Sequence, residues 1–341
     1  MTGFGQSFGA HMFTARWTAG DGWHGAGLVP YAPLDLDPAA SGLHYGQVVF
    51  EGLKAFRQPD GSVALFRPGY NARRMRHSAR RLLMPEVPDE LFLGALDALV
   101  DAERASVPGE HGHALYVRPL LFASEPMLGV RPAAEFRFLV LAFPSAPMLG
   151  LDPIRVWVSA DCVRAFPGGT GDVKVAGNYA VGLRGQADAV AAGCDQVVWV
   201  DAAERRWLEE MGTMNLFVVL RDGERPNLVT PPLTGTILAG ATRDSVLRIA
   251  RAGGTGATER KVSIDEVRAA AGDGTLVEAF ACGTAAVVVP IGSVHTPAGS
   301  FTVGDGATGK LTALLRNNLI DIQQGRRADD HGWLSPVPHS A

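Results

Sequence analysis

A proline-rich break near the middle of the chain constrains its fold more than any other feature. The stretch FPSAPMLGLDP (143–153) contains three prolines and a glycine, a composition that helix interiors and central strands do not tolerate. On both sides of it, segments with the alternation of strands are interspersed with segments that have the helical period of about 3.6 residues. The sequence therefore predicts an α/β protein of two mixed domains. We expect a small N-terminal domain over residues 1–145 and a larger one over residues 146–341, with the linker at about 143–153.

The composition limits the classes of function. Among 341 residues, 31 basic and 35 acidic ones leave a net charge of −4, which argues against nucleic-acid binding and against a polybasic membrane-surface protein. The longest apolar run (276–291) is interrupted by Glu278 and Gly283 and is shorter than the ~18 residues that a membrane helix needs. The N-terminus has no secretory-signal pattern, and the three widely spaced cysteines predict neither a disulfide framework nor a metal site. We expect a soluble, cytoplasmic protein.

Local patterns predict the order of the elements. A helix is expected from Asn71, as its N-cap, to Leu83, and another over 89–105 with one buried stripe. Further helices are predicted over 178–192, 242–252 and 311–323. Strands are predicted over 62–68, 113–122, 135–143, 154–160, 195–200, 214–220, 277–281 and 285–290.

Lysines are few, so chemistry that needs an amine has a short list of candidates. Lys261 and Lys310 lie at predicted element ends, where a solvated charge is expected, and Lys54 lies among apolar residues but not in a glycine-rich segment. Lys174 follows the glycine-rich loop PGGTGD (167–172), where backbone can pack against a flat ligand. This loop lacks the spacing of a nucleotide-binding loop. The alternatives for Lys174 are a solvated charge and an amine that forms a Schiff base with a carbonyl cofactor.

Two adjacent carboxylates, Glu209 and Glu210, precede a Gly-Thr turn and an apolar strand. On such a segment their side chains should diverge, one toward solvent and one toward the core. A buried carboxylate needs a partner, because its desolvation alone costs several kcal/mol. A protonated pyridine nitrogen is one such partner, and the alternative is a pair of solvated glutamates.

Two further segments can bind an anion. Gly240, Ala241 and Thr242 directly precede or begin a predicted helix, whose free N–H groups and dipole favour negative charge. Thr284 lies at a bend between two strands, where its hydroxyl can donate to an anion. Taken alone, the first segment is also explained as an ordinary helix start and the second as a structural turn.

Taken together, these segments resemble the branched-chain amino acid aminotransferases, a family of fold-type IV pyridoxal-phosphate enzymes, in their bacterial, actinobacterial-like branch. The resemblance runs from about Phe4 to the HGW segment (331–333) and covers most of the chain. The matching motifs are LHYGQVVFEGLKAF (43–56), LFRPGYNARRM (65–75), ALYVRPLLFASEPMLGV (114–130), PGGTGDVKVAGNYA (167–180), GCDQVVWVDAAERRWLEEMGTMNLF (193–217), LAGATRDSVL (238–247) and FACGTAA (280–286).

The resemblance assigns roles to single residues. It implies that Lys174 holds the cofactor pyridoxal 5′-phosphate (PLP) as a Schiff base, and that Glu210, rather than Glu209, faces the pyridine nitrogen. The other implied contacts are those to the cofactor phosphate (Arg74, Ala241, Thr242 and Thr284), its phenolic oxygen (Tyr179), the substrate α-carboxylate (Thr284 and Ala285) and the substrate side chain (Phe4, Tyr45, Tyr116 and Arg118).

The implied activity is an L-amino acid aminotransferase. It would move the amino group between a branched-chain or related hydrophobic amino acid and 2-oxoglutarate or glutamate, in amino-acid metabolism. Arg118 is expected to accept the second carboxylate of glutamate, while the rest of the pocket accepts an aliphatic side chain. The family also implies a homodimer, in which the segment SEPMLGV (124–130) reaches toward the neighbouring subunit.

Some positions depart from the family pattern. Residues 144–149 replace a usual Gly-Ala-Tyr-Phe linker that walls the pocket, which predicts a wider or differently shaped pocket. Ala176 and Ala239 replace a usual glycine and a usual proline, and Ala286 and Val289 stand where some animal members have a redox CxxC. These changes leave the predicted cofactor contacts intact. They do not decide which amino acid is the substrate.

Alternative functions remain. One is a fold-type IV aminotransferase for an unusual amino acid in specialised metabolism. D-amino acid aminotransferases and aminodeoxychorismate lyases share the fold, although LYVRP and EEMGTMN look more like the branched-chain group. A catalytically inactive binding module is a further alternative, against which the complete set of cofactor residues argues.

Overall fold

The computed structural model describes residues 4–147, 150–159, 161–223 and 225–339. Its contacts divide the chain into two compact units. Unit 1 comprises Met1–Met148, Val173–Gly177 and Asp321–Ala341, and unit 2 comprises Leu149–Asp172 and Asn178–Ile320. The sequence predicts a single boundary near residue 145, whereas in the structure the chain returns to unit 1 at the Lys174 segment and at its C-terminal end. Within the described residues, no helix is both long and apolar enough to cross a membrane.

Strands and helices are interspersed along the described chain. In order they are β1 (His11–Thr18), β2 (Gly22–Pro30), α1 (Ser41–Tyr45), β3 (Val48–Phe50), β4 (Leu53–Arg57), β5 (Val63–Phe66), α2 (Pro68–Arg81), α3 (Asp89–Ala102), β6 (Ala114–Ala123), β7 (Glu135–Ser145), β8 (Ile154–Val158), α4 (Ala176–Ala191), β9 (Gln196–Val200), β10 (Leu208–Met211), β11 (Met214–Asp222), β12 (Arg225–Thr230), α5 (Ala241–Ala252), β13 (Gly256–Glu259), α6 (Ile264–Gly272), β14 (Leu276–Gly283), β15 (Val287–Thr296), β16 (Gly299–Thr302), α7 (Lys310–Gln323) and β17 (Leu334–Pro336).

Unit 1 contains a sheet of eight strands in the order β17-β5-β4-β6-β7-β1-β2, with β3 also paired to β6. The pairs along β4, β6 and β7 are antiparallel, and the helices α2 and α3 pack on this sheet. The predicted buried stripe of α3 is confirmed, because Phe92, Leu96 and Leu99 are fully buried in the core. The apolar residues of α3, at helical spacing, thus form the face that packs on the sheet.

The start of α2 differs from the prediction. Asn71 is not the N-cap, since the helix begins at Pro68 and Arg67 is the capping residue, at φ 55°. Proline is favoured at the first helical position, where its missing N–H has no partner to lose. Asn71 is buried one turn inside the helix, which places its amide where it donates to the Glu51 carboxylate.

Unit 2 contains a sheet of nine strands in the order β10-β9-β8-β15-β14-β11-β12-β13, with β16 paired to β15 and β10 also paired to β11. Residues 285 and 286, predicted as the start of a strand, belong to the turn before β15, which begins at Val287. The predicted strand over 154–160 ends at Val158, and its last residue, Ala160, lies outside the described residues. The mixed α/β architecture predicted from the sequence is confirmed.

Candidate active site

The centre of the unit 1 site is a buried ion pair. Both carboxylate oxygens of Glu51, which follows β3, accept hydrogen bonds of 2.7 Å from Arg74, one from Nε and one from Nη2. Asn71 Nδ2 donates a further hydrogen bond of 2.7 Å to Glu51 Oε2. Burial raises the pKa of Glu51, but the charge and hydrogen bonds of Arg74, with Lys174 and Asn71, hold it below its ordinary value. Arg74 therefore faces a fixed negative charge. The sequence did not single out Glu51.

Lys174 lies beside this pair, within unit 1. Its backbone carbonyl accepts from Phe50 N at 3.1 Å, and its backbone N–H donates to Ser78 Oγ on α2 at 2.9 Å. Its Nζ lies 4.8 Å from the centre of the Phe50 ring, and its charge stabilises the ionised form of Glu51. The structure thus brings together the predicted cofactor lysine and the predicted phosphate arginine. Lys54, by contrast, is buried in β4.

Tyr116 and Arg118 project from the same face of β6, as their spacing predicts. Arg118 Nη2 donates to the Tyr116 hydroxyl at 3.3 Å. The guanidinium carbon of Arg118 lies 4.8 Å from the Phe50 ring centre. Because Lys174 contacts the same ring, Phe50 links the predicted cofactor lysine to the predicted substrate arginine.

An aromatic cluster adjoins Tyr116. Its ring stacks on Phe143 at 5.1 Å, and Phe4 meets both rings edge-on at 5.0 Å. The structure thus places Phe4 against Tyr116, another of the predicted substrate residues. Of the altered linker, Pro144 and Ser145 belong to β7, whereas Met148 and Leu149 lie outside the described residues. Phe143, at the start of that linker, was not predicted as a site residue.

Tyr45 is placed differently from the other predicted substrate residues. It ends α1, is 45% exposed, and donates its hydroxyl to the carbonyl of Leu128 at 2.6 Å. Tyr45 therefore contacts the segment 124–130 rather than Tyr116 or Arg118.

The centre of the unit 2 site is Glu210 in β10. Its Oε1 accepts from the backbone N–H of Leu238 at 2.9 Å and from Asn215 Nδ2 at 3.3 Å. Its Oε2 lies 3.0 Å from Arg164 Nε, and both side chains are buried. The predicted requirement for a partner is met within unit 2 by Arg164, a residue that the sequence analysis missed.

Both glutamates of β10 are buried, so the prediction that one of them points to solvent is wrong, and so is the solvated alternative. Glu209 is 6% exposed and Glu210 is 3% exposed, because β10 is flanked by β9 and β11 and packs into the core of unit 2. Burial raises the pKa of Glu209, although the hydroxyl of Thr236 donates to its Oε1. The two carboxylates therefore have unlike surroundings.

The predicted anion-binding residues Ala241 and Thr242 form the first turn of α5 and are buried. Gly240 caps this helix, and a Cβ there would lie 2.0 Å from Asn215 Oδ1. Asn215 also donates to the carbonyl of Leu238 at 2.9 Å. Since Asn215 also binds Glu210, it holds the start of α5 close to that carboxylate.

Three predicted residues lie on other parts of unit 2. Tyr179 is half-buried in the first turns of α4. Thr284 and Ala285 are half-buried in the turn between β14 and β15. Arg316 supports this turn, because its Nη1 donates to the carbonyl of Ala286 at 3.1 Å. Arg316 was not predicted as a site residue.

Comparisons with known proteins show the family to which the chain belongs. The family described as amino-transferase class IV matches residues 48–294. The branched-chain-amino-acid aminotransferase of Mycobacterium tuberculosis (strain ATCC 25618 / H37Rv) is 50% identical over 336 residues, which is 98% of this chain and 91% of that protein. A probable branched-chain-amino-acid aminotransferase of Streptomyces coelicolor is 52% identical over 335 residues, 97% of this chain and 91% of that protein.

Solved structures give the same result. The branched-chain amino acid aminotransferase of Escherichia coli superposes with a TM-score of 0.78 at 25% identity, covering 95% of this chain and 99% of that one. The T.th. branched-chain amino acid aminotransferase superposes with a TM-score of 0.76 at 28% identity over 95% of this chain and 98% of that one, and its structure contains N-(5′-phosphopyridoxyl)-L-glutamate.

The chain belongs to the class IV aminotransferases and, within that class, to the branched-chain-amino-acid aminotransferase family. The predicted family, its actinobacterial branch, the fold-type IV architecture and the aminotransferase activity are thereby confirmed.

Proposed function

We propose that this chain binds PLP covalently through Lys174 and transfers the amino group between a branched-chain or related hydrophobic L-amino acid and 2-oxoglutarate. The observation that carries the proposal is the cluster of Lys174, Glu51 and Arg74 in unit 1. It puts an amine next to a guanidinium that is fixed by a carboxylate. The names of the relatives support the choice of substrate.

The donors and acceptors present fit the chemistry of PLP. In unit 1, Lys174 supplies the amine and Arg74 a planar fork for phosphate. In unit 2, the first turn of α5 offers backbone N–H groups and a positive dipole end, and Glu210 offers a carboxylate. We assign Ala241, Thr242 and Thr284 to the phosphate and Tyr179 to the phenolic oxygen. When bound, PLP supplies an electron sink at the substrate Cα.

The side chains have distinct tasks in the proposed reaction. Lys174, once free, moves a proton to or from the substrate Cα as general base and acid. Glu210 holds a proton on the pyridine nitrogen, because a carboxylate stabilises the adjacent cation. Arg118 accepts the distal carboxylate of glutamate, while Phe4, Tyr45 and Tyr116 contact an aliphatic side chain. Thr284 and Ala285 bind the α-carboxylate.

A panel of amino donors assayed with 2-oxoglutarate tests this function. We expect leucine, isoleucine and valine to be the best donors, and the PLP chromophore to be fixed onto Lys174 by borohydride. If D-alanine or an unusual amino acid were the best donor, the substrate assignment would be wrong while the cofactor assignment stood. A protein that retained no PLP after reconstitution would contradict both.

We further propose that the chain is a cytoplasmic homodimer. Leu128 and Val130 in the segment 124–130 are 60% and 88% exposed, and Leu128 lies against the exposed Tyr45, whose hydroxyl donates to its carbonyl. A contiguous exposed apolar patch of this kind is typical of contacts between subunits. Sedimentation should therefore give a dimer that Leu128→Asp weakens. The control Leu314→Asp changes an apolar residue that is 55% exposed on α7 and should leave the dimer intact. An active monomer would refute the proposal, and cell fractionation tests the location.

A further inference from the structure

One buried arginine in unit 2, Arg164, acts on two adjacent buried carboxylates, Glu209 and Glu210. Arg164 Nε lies 3.0 Å from Glu210 Oε2, in a contact that is an ion pair rather than an aligned hydrogen bond. The same guanidinium donates through Nη2 to the carbonyls of Gly171 and Thr236, so its position is fixed from three sides. Arg164 acts on Glu209 through space and, in doing so, opposes the effect of burial on that carboxyl.

The surroundings of Glu209 disfavour a negative charge. Its Oε1 accepts from the Thr236 hydroxyl, whereas its Oε2 is buried without a hydrogen-bond partner. The neighbouring acids Glu210 and Asp201 raise the pKa of Glu209 further, after burial, while Thr236 and Arg164 lower it. Glu209 lines a cavity of about 180 Å³ together with Asp201, Glu204 and Lys261, and the last two are exposed to solvent.

The surroundings of Glu210 favour a negative charge. It accepts two hydrogen bonds, from the Leu238 backbone and the Asn215 amide, and it pairs with Arg164. Two neighbouring carboxyl groups in a buried site do not ionise with equal ease, because each ionised group raises the cost of ionising the other. The one with the cation and the donors ionises first.

We propose that Arg164 is a positioning residue that keeps the negative charge on Glu210 and leaves its neighbour Glu209 neutral. The consequence for the cofactor rests on the proposed function: only an ionised Glu210 holds a proton on the pyridine nitrogen. The charge assignment itself concerns the protein alone. Two adjacent glutamates thus have separate tasks, with Glu209 packing as a neutral group and Glu210 carrying the charge.

Infrared titration of the full chain, labelled with ¹³C-glutamate and measured with and without PLP, tests the assignment. As the pH rises, one buried carboxyl group should lose its proton after all the others. Its infrared signal should be absent from Glu209→Gln and present in Glu210→Gln. Loss of this late signal in Glu210→Gln instead would overturn the proposal. A chain that binds no PLP would contradict the proposed function but would still give this titration.

Variants of Arg164 test whether this arginine is what keeps the negative charge on Glu210. Arg164→Met should give a second late-titrating carboxyl, from Glu210, and Arg164→Lys should restore the single one. In the PLP-loaded enzyme we expect kcat of Arg164→Met to fall about a hundredfold with little change in KM. The control Arg260→Met removes an arginine that pairs with Glu266 in the same unit and should change neither readout. An unchanged titration in Arg164→Met would overturn the proposal. If that variant does not fold, Arg164→Gln replaces it, with a second late-titrating carboxyl as the supporting result and an unchanged titration as the result that overturns the proposal.

Discussion

Arg74 forms two hydrogen bonds of 2.7 Å with Glu51, and both side chains are buried. A guanidinium held in this way cannot rotate freely, so its remaining surface is presented in one orientation. Burying such a pair costs desolvation energy, and removing one member leaves an uncompensated charge, which is more costly still. Glu51 is therefore as important to the unit 1 site as the arginine that the family motif identifies.

Glu51→Gln should lower the free energy of unfolding by about 3–5 kcal/mol, because the buried Arg74 loses its counterion. The folded-state pKa of Glu51 is lowered. Its contribution to stability is therefore complete above the unfolded pKa and is lost as the pH falls through the lower folded value. Urea unfolding between neutral and acid pH should show this loss in wild type and not in Glu51→Gln. A Glu51→Gln profile parallel to that of wild type would contradict the assignment.

Arg118→Leu should separate the two classes of substrate. An arginine–carboxylate hydrogen bond is worth roughly 1.5–3 kcal/mol, so kcat/KM for glutamate and 2-oxoglutarate should fall about tenfold to a few hundredfold. Leucine as donor should change little. As a control, Tyr116→Phe removes only the hydroxyl that Arg118 contacts. A parallel loss for both donors in Arg118→Leu would mean that Arg118 serves stability rather than carboxylate recognition.

The family motifs single out Lys174, Glu210 and Arg118 as predicted site residues because each lies in a segment whose type and spacing are distinctive. Glu51 and Arg164 were not identified. Their roles arise from contacts with residues 23 and 46 positions away, Arg74 and Glu210, and such pairing leaves no local pattern. A lone acid in the apolar segment VVFEGL was the available signal for Glu51.

Among the elements, α5 depends on a close approach at its first turn. A Cβ on Gly240 would lie 2.0 Å from Asn215 Oδ1, and Asn215 binds both Glu210 and the Leu238 carbonyl. Gly240→Ala should therefore displace the start of α5, lowering the free energy of unfolding by about 1–3 kcal/mol and weakening PLP binding.

The matched control for this variant is Gly272→Ala at the end of α6, where an added Cβ meets no atom within 4 Å. Its effect on stability should be neutral or a gain of up to about 1 kcal/mol, because alanine is favoured over glycine where the backbone is helical and the Cβ has room. Urea unfolding and a PLP titration measure both variants. Equal behaviour of the two would show that the contact with Asn215 does not constrain α5.

The predicted elements succeeded where the hydrophobic period was strong, as in α3, β6 and β11. The strand β2 was missed because it is rich in glycine and mostly exposed, so it has no apolar face to show in the sequence. The strand β10 was missed because two of its four buried residues are glutamates. Its burial follows from pairing with β9 and β11, which a local pattern does not report.

At the scale of the whole molecule, the sequence predicted two domains but not the path of the chain between them. The segment Val173–Gly177 belongs to unit 1 by its contacts, although it is separated from the rest of that unit along the chain. An isolated β-bridge between Val49 and Val175 and the backbone hydrogen bond from Phe50 N to the Lys174 carbonyl account for this placement. A segment this short shows no hydrophobic periodicity, so its pairing with a distant strand could not be predicted from the sequence.

The central claim is that Lys174 holds PLP for transamination, and the absorbance of the reconstituted enzyme with its activity tests it most directly. Lys174→Ala should lose the Schiff-base chromophore and transamination from leucine to 2-oxoglutarate. Lys261→Ala and Lys310→Ala, which remove exposed lysines, should retain both. Lys54→Ala should also keep the chromophore, although its burial makes it the less suitable control. A Lys174→Ala protein that kept its chromophore and activity, or a loss in Lys54→Ala alone, would contradict the account.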